Sequence, residues 1–430
     1  MSYCGISRFR LNVLDKSGIQ FHNIWSMIYR KFEMQVKKAL RYFPCVTLTG
    51  ARQTGKTTLL KNLLPNYNYV TLDLPSVAAM ADETPSLFFE KYKPPVVIDE
   101  VQYAPKMFRY LKELVDKDRH KMGQVVLTGS QKFELMKNLS ESLAGRSAIL
   151  ELEGLDWEEY KNAPCFSKSK PADFWTFVFR GGFPELTREP DMPLDMFFSS
   201  YLATYLERDV RQLVNVSNLR VFEQFIRLLA ARNAQQLDMA QIANSLGVNA
   251  KTVGSWVSVL ETSGQITLLQ PWFGNSGKRI VKTPKLYFND TGLLCWLLGI
   301  EKGSVKSSPF AGAIFETAVF SQIRKANKMN GNKKQIYYYR DASQVEVDFL
   351  LVGGGCKMIE SKLSEEPKSD DAKAMKRLYE NFLNLPQIPA ELEPMSFCIA
   401  CNSNDNYVFK TKANGRNMRV QVQSAHSLSL

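Results

Sequence analysis

Gly50-Ala-Arg-Gln-Thr-Gly55-Lys56-Thr57 fits the spacing G-x-x-x-x-G-K-[ST] without departure. Residues of these types at this spacing do phosphate chemistry. The glycines let backbone N–H groups wrap a phosphate, and a helix start adds positive potential. Lys56 would reach the β- and γ-phosphates of a nucleoside triphosphate, and the Thr57 hydroxyl would ligate Mg²⁺. Gly50, Gln53, Thr54, Gly55, Lys56, Thr57 and Thr58 are the residues expected to hold the nucleotide. Val96-Val97-Ile98-Asp99-Glu100 supplies the partner, an apolar run ending in two acids. Asp99 would hold Mg²⁺ through water, and Glu100 would orient and deprotonate the attacking water. Thr128-Gly129-Ser130 closes the next apolar run, where the Ser130 hydroxyl would sense the terminal phosphate. Arg146, in Leu143-Ala144-Gly145-Arg146, would stabilise transition-state charge, in cis or on the nucleotide of a neighbouring copy. An ordinary surface arginine is the equal alternative there.

A second constellation lies near the C-terminus. Glu316 falls in a helical pattern, Asp348 in a strand-like run, and Glu360-Ser361-Lys362 ends the next run. Strand side chains alternate, so Glu346 and Asp348 share one face while Val345, Val347 and Phe349 share the other. Glu360 and Lys362 share a face by the same rule. Carboxylates on neighbouring strands, with a lysine beside them, can hold a divalent metal and stabilise a phosphate transition state. Solvated strand-end charges in a structural remnant are the alternative. Glu365, Glu366, Asp370 and Asp371 follow directly and would repel nucleic-acid phosphates.

These groups need elements to position them. Apolar runs at 46–49, 69–72, 96–98, 124–128 and 148–152 read as buried strands, alternating with helical patterns. That order predicts an α/β fold with a parallel sheet, the phosphate loop lying between the first strand and its helix. Strand signals fade after about residue 155, and helices are expected over 195–213 and 219–232. The stretch 237–260 reads helix, turn at Leu246-Gly247-Val248, helix. With 266–270 as a wing strand it looks like a winged-helix module, Lys251, Thr252 and Ser255 facing a DNA major groove. A basic residue at Lys251 alone is thin cover for phosphates, and a packing module is the other reading. Gly and Ser at 301–312 suggest a linker, followed by a helix over 314–326 and strands over 335–340, 345–352 and 356–361.

Lys+Arg number 55 against Asp+Glu 43, a net charge of +12. Eight basic and two acidic residues fall within residues 1–50, so half of the excess precedes the phosphate loop. The excess permits a nucleic-acid partner without requiring one. Three histidines argue against a His-rich zinc site or a Ser-His-Asp hydrolase. Seven cysteines scattered through apolar stretches read as reduced thiols, Cys398 and Cys401 included. No apolar run approaches the roughly 18 residues of a membrane span. No signal-peptide core stands at the N-terminus, and a cytoplasmic protein is expected.

With these residues in view, the chain resembles a prokaryotic family of ATPases. Its members carry an N-terminal AAA-type P-loop domain and a C-terminal domain of unknown function related to restriction endonucleases. The resemblance covers roughly 27–400. It rests on the phosphate loop, Asp99-Glu100, Leu127-Thr-Gly-Ser130, Leu143-Ala-Gly-Arg146 and Gly181-Gly-Phe-Pro-Glu185. Tyr205-Leu-Glu-Arg208-Asp209 and Pro284-Lys-Leu-Tyr-Phe288 with Asp290 complete it. The ordered set Glu316, Asp348, Glu360 and Lys362 resembles the PD-(D/E)xK nuclease core, with no carrier residue replaced. The resemblance implies ATP hydrolysis with Mg²⁺, and the nuclease-like set a second divalent metal at the C-terminal carboxylates. DNA is a candidate partner from the basic excess and the helix-turn-helix pattern, and a second copy of the chain from the Arg146 reading. It implies a start near Met27, so 1–26 look like an extension or a misassigned start. The expected organisation is an AAA-type domain over 27–160, a helical region over 161–232, a winged-helix-like module over 233–300, and a restriction-endonuclease-like α/β domain and tail over 301–430.

Overall fold

The computed structural model describes residues 27–129, 141–167, 169–205, 210, 219–272, 282–403 and 405–428. The extension at 1–26 and Ser130 lie outside the described residues. The first sheet has five strands: β1 (Cys45–Thr49), β2 (Asn68–Thr71), β3 (Val96–Asp99), β4 (Val125–Thr128) and β5 (Ser147–Glu151). All are parallel, in the order β2-β3-β4-β1-β5. A parallel sheet is covered on both faces, which is why β1, β3 and β4 are unbroken buried runs. Alternation sorts their side chains. Val96, Ile98, Val125 and Leu127 pack with Phe88 and Phe108 on one face, and Val46, Leu48, Val97 and Val126 with Val36 and Leu60 on the other. Strand β4 lies between β1 and β3, so the C-terminal ends of all three meet at one edge.

The middle region is helical, as expected. Helices Met239–Leu246 and Ala250–Thr262 are joined by a turn in which Gly247 takes a φ of 66°. Their starts are capped by Asp238 and Asn249, which accept N–H bonds from Gln241 and Thr252. Strand β6 (Ile266–Leu269) pairs antiparallel with β7 (Lys285–Phe288), a strand that the sequence pattern did not announce. The stretch read as a linker is mostly exposed, with Val305 its one buried residue over 301–310, and a long helix begins at Ala311 and runs to Met329.

The C-terminal part is a mixed six-stranded sheet: β8 (Gln335–Arg340), β9 (Glu346–Val352), β10 (Cys356–Lys362), β11 (Met395–Cys401), β12 (Tyr407–Ala413) and β13 (Arg416–Ser424). Its order is β12-β13-β11-β10-β9-β8. Cys398 and Cys401, three apart on β11, fall into cores on opposite faces, so they do not converge on a metal. The cysteines among the described residues are all free. One hydrophobic cluster runs from Trp157 to Ala425, so the middle and C-terminal parts share a core. No helix among the described residues is long and apolar enough to cross a membrane.

Candidate nucleotide site and C-terminal carboxylate cluster

The phosphate loop leaves β1 at Gly50, whose φ of 139° and close approach demand glycine. A Cβ there would lie 2.1 Å from the Leu152 carbonyl oxygen. Gly55, with φ 89°, precedes the helix Lys56–Leu63. Lys56 is buried, and its ammonium donates to the Gly50 and Ala51 carbonyls, each at 2.9 Å. Thr54 donates to the Ala51 carbonyl, and its own carbonyl accepts from Arg30 at 2.8 Å. Gln53 and Thr58 are exposed at the mouth. Beside it opens a cleft of ≈ 430 Å³, lined by Ile28, Gln53, Gly55, Thr58, Pro184 and Arg188 among others.

Asp99 ends β3 and is buried. One carboxylate oxygen accepts the Thr57 hydroxyl at 2.7 Å and the Tyr69 phenol; the other accepts the Thr128 hydroxyl and the Glu100 N–H. Burial raises the Tyr69 phenol well above its ordinary value and Asp99 adds to the rise, so it stays a donor. Glu100 follows with a φ of 56°, uncommon for a non-glycine residue, and accepts from the Gln102 amide. The strand order thus brings Lys56, Thr57, Asp99 and Glu100 to one edge.

Arg146 lies elsewhere. It precedes β5, and its N-terminal position is paired with the start of β1: the Cys45 N–H donates to the Arg146 carbonyl at 3.2 Å. The phosphate loop leaves the other end of β1, about 15 Å away at the rise of a strand. Arg146 forks instead onto Asp116 of its own domain, at 2.6 and 2.8 Å. On sequence, action in cis, action on a neighbouring copy and a plain surface role are all open for Arg146; the parallel register puts it at the opposite edge of the sheet from its own phosphate loop.

The family-type motifs of the middle region brace this domain. Gly182 donates to Asp290 at 2.7 Å and its carbonyl accepts from Leu155. A Cβ on Gly181 would strike the Asp290 carboxylate. Glu153, two residues past β5, is held by Arg324 at 2.7 Å and by Lys328, both on the helix Ala311–Met329. Burial alone would raise Glu153, but Arg324, Lys328 and Lys325 outweigh it and bring the carboxyl down to about 2.

The same helix carries Glu316 into the second cluster. Glu316 accepts the Tyr287 phenol at 2.5 Å. The Lys285 ammonium sits 3.1 Å from Glu316, 2.5 Å from Glu346 and 3.9 Å from Asp348. Lys285 is 3% exposed. Burial would lower it, but Tyr287 and the carboxylates outweigh that and hold it well above its ordinary value, so it is charged. Asp348 also accepts the Ser361 N–H and hydroxyl, at 2.8 and 2.9 Å. Glu360 pairs with Lys362 at 3.3 Å through one oxygen, and its other oxygen is buried without a hydrogen-bond partner. Burial pushes the Glu316 carboxyl up to about 7, with Asp348 adding to the rise. Burial and Asp348 likewise push Glu360 well above the usual carboxylate range. The four expected residues do come together. They do not form a metal cage, because an ammonium from β7 already stands among them. Among the described residues no group of three or more His, Cys, Asp or Glu is arranged to hold a metal ion. Lys285, Tyr287, Tyr69 and Arg30 are the residues that sequence reasoning missed. Lys285 and Tyr287 lie in the Pro284–Phe288 motif, which was the available signal.

The loop, the parallel order and the acidic strand end define a P-loop ATPase. The AAA domain family matches residues 42–161. Two families described only as domains of unknown function match 171–304 (DUF8612) and 311–414 (DUF4143). The "Uncharacterized protein Rv2008c" of Mycobacterium tuberculosis is 33% identical over 321 residues, 74% of this chain and 69% of that protein. The chain belongs to that protein's family, and within it is an AAA-type P-loop ATPase. "Uncharacterized protein MJ1544" of Methanocaldococcus jannaschii is 22% identical over 365 residues, covering 76% of this chain and 77% of that one. Among solved structures, the Walker-type ATPase PABY2304 of Pyrococcus abyssi covers 64% of this chain and 96% of its own, at 16% identity and a TM-score of 0.43.

Proposed function

We propose that this chain is a Mg²⁺-dependent cytoplasmic ATPase whose nucleotide state sets the state of its C-terminal domain. The observation that carries the reading is the Thr57–Asp99 hydrogen bond at the mouth of the phosphate loop, with Glu100 one residue on. A hydroxyl and a carboxylate are suitable oxygen donors for Mg²⁺ that keeps waters and phosphate oxygens as its other ligands. Thr57 and Asp99 would hold Mg²⁺, which would supply positive charge to offset the negative charge of the phosphates. Lys56 would exchange its two loop carbonyls for β- and γ-phosphate oxygens. Glu100 would take the proton of the attacking water. The cleft by Gln53 and Thr58 would receive the nucleoside. Arg146 would act only on a neighbouring copy's nucleotide, which requires a homo-oligomer. The test is ATP turnover and binding in purified variants. Lys56→Ala is expected to lose nucleotide binding. Glu100→Gln is expected to retain ATP and lose turnover by about 10²–10⁴-fold. Unchanged turnover in Glu100→Gln would sink the assignment of the base.

For the C-terminal domain, a restriction-endonuclease-like fold with an inactive centre is the reading we favour over an active nuclease. The Lys285 ammonium among Glu316, Glu346 and Asp348 supports it, and with it a nucleotide-driven switch. DNA contact through Lys251, Thr252 and Ser255 rests on the helix-turn-helix alone. Lys251 and Ser255 are exposed on their helix.

A further inference from the structure

Arg30 lies just before the helix Glu33–Tyr42, distant in sequence from the groups it touches. It is 6% exposed, so its guanidinium is held among protein atoms. One nitrogen donates to the Thr54 carbonyl at 2.8 Å and another to the Glu153 carbonyl at 2.6 Å. The Glu159 carboxylate stands 3.3 Å from the third. A planar fork of this kind fixes direction as well as distance, which a flexible ammonium does not. Thr54 is where direction counts. It is buried, and its hydroxyl donates to the Ala51 carbonyl at 2.9 Å. In a trans peptide the carbonyl and the next N–H point opposite ways. Holding the Thr54 carbonyl against Arg30 therefore turns the Gly55 N–H away from Arg30. Gly55 opens the helix Lys56–Leu63, and N–H groups at a helix start are the ones that meet a phosphate.

We propose that Arg30 is a positioning residue of the nucleotide site. It fixes the Thr54–Gly55 peptide so that the Gly55 N–H is aimed at the phosphate chain before the nucleotide arrives. The proposal rests on the reading of the loop as an ATP site. Without Arg30 the peptide is free to turn, and its ordering becomes a cost of binding phosphate. Substrate, product and transition state all carry the phosphate that this N–H meets. Its loss therefore removes uniform binding, which raises KM and leaves kcat unchanged. The same guanidinium holds the backbone of Glu153, whose carboxylate is held by Arg324 and Lys328. One side chain thus ties the loop to the seam with the helix Ala311–Met329.

The experiment uses the full chain. It measures the affinity for a fluorescent ADP analogue, the displacement of that analogue by pyrophosphate with Mg²⁺, and the KM and kcat of ATP turnover. Wild type is compared with Arg30→Met, which loses the fork, and with Lys31→Met, which removes the neighbouring ion pair with Asp156. Arg30→Met is expected to weaken ADP and pyrophosphate alike, by at least about tenfold, and to raise KM as much while kcat stays within about twofold. Lys31→Met is expected to keep wild-type values. Equal affinities in Arg30→Met and wild type overturn the proposal. A loss confined to ADP also overturns it, because pyrophosphate has no nucleoside and the effect would then lie in the cleft. A loss that Lys31→Met reproduces overturns it too, as a general loosening of the seam. So does a fall in kcat at unchanged KM. If Arg30→Met does not fold, Arg30→Lys, which keeps the charge without the fork, takes its place with losses in the same direction. Wild type that binds no nucleotide sinks the ATP reading and this proposal together, whereas equal binding by wild type and variant sinks this proposal alone.

Discussion

At the residue scale, Asp99 shows how a short motif becomes a site. Its carboxylate gathers Thr57, Tyr69, Thr128 and the Glu100 N–H before any ligand arrives. Hydrogen bonds to a charged group contribute about 1.5–3 kcal/mol net. Tyr69→Phe removes one donor while Thr57 still serves the same oxygen. It should lower the stability of the nucleotide-free chain by about 1–2 kcal/mol in urea denaturation. A variant as stable as wild type would mean that Tyr69 contributes nothing to holding Asp99. Lys56, Thr57 and Asp99 were legible because their motif is local. Tyr69 was not, because it reaches Asp99 only through the β2–β3 pairing across 30 residues. Lys285 was harder still. A lysine on a strand normally reads as solvated, and only acids from two other elements, the helix Ala311–Met329 and β9, make its burial tolerable.

At the scale of elements, the strands of the first sheet were visible as apolar runs because a parallel sheet buries both faces. Strands β12 and β13 were not foreseen. β12 forms one edge of the C-terminal sheet and is mostly exposed, so its pattern carries little apolar signal. The winged-helix reading found both helices through their 3.6-residue period and missed β7, whose apolar run after Lys285 is only Leu286–Phe288. The helix Ala311–Met329 is the element with most consequence. It carries Glu316 to one cluster and Arg324, Lys325 and Lys328 to the seam beside β5. Glu153 anchors that seam with a carboxyl lowered from 4.5 to about 2. A lowered acid stabilises the fold fully above its unfolded value and loses that contribution as pH falls through its folded value. The seam should therefore be at full strength above about pH 5 and fade between about pH 4.5 and 2. At 1.36 kcal/mol per unit, the contribution is at most about 3 kcal/mol. Lys325, itself lowered by burial, offsets part of it. Denaturation of wild type and Glu153→Gln over this range should show a stability gap that closes on acidification. Parallel pH profiles would exclude Glu153 as the group responsible.

At the scale of the whole molecule, the position of Arg146 turns a residue assignment into an assembly question. The parallel register puts it at the opposite edge of the sheet from Lys56, so no rotamer brings it to its own phosphate loop. It is held there by Asp116, at a surface position where the ion pair with Asp116 is weak. An arginine at that edge could act only on the loop of an adjacent copy, and a finger supplied in trans accelerates phosphoryl transfer by about 10³–10⁵-fold. If Arg146 works that way, Arg146→Ala should lower ATP turnover by about that factor while leaving nucleotide binding intact. Lys56→Ala should be inactive for the opposite reason, lacking nucleotide but retaining the arginine. Mixing the two inactive proteins should then restore turnover, because a Lys56→Ala copy can lend its Arg146 to a neighbour with an intact loop. Recovery should rise with total protein concentration, as association demands. Turnover that stays at the sum of the separate proteins, over concentrations at which the chain associates, would leave Arg146 as a surface partner of Asp116 and remove the need for an oligomer in the ATP cycle.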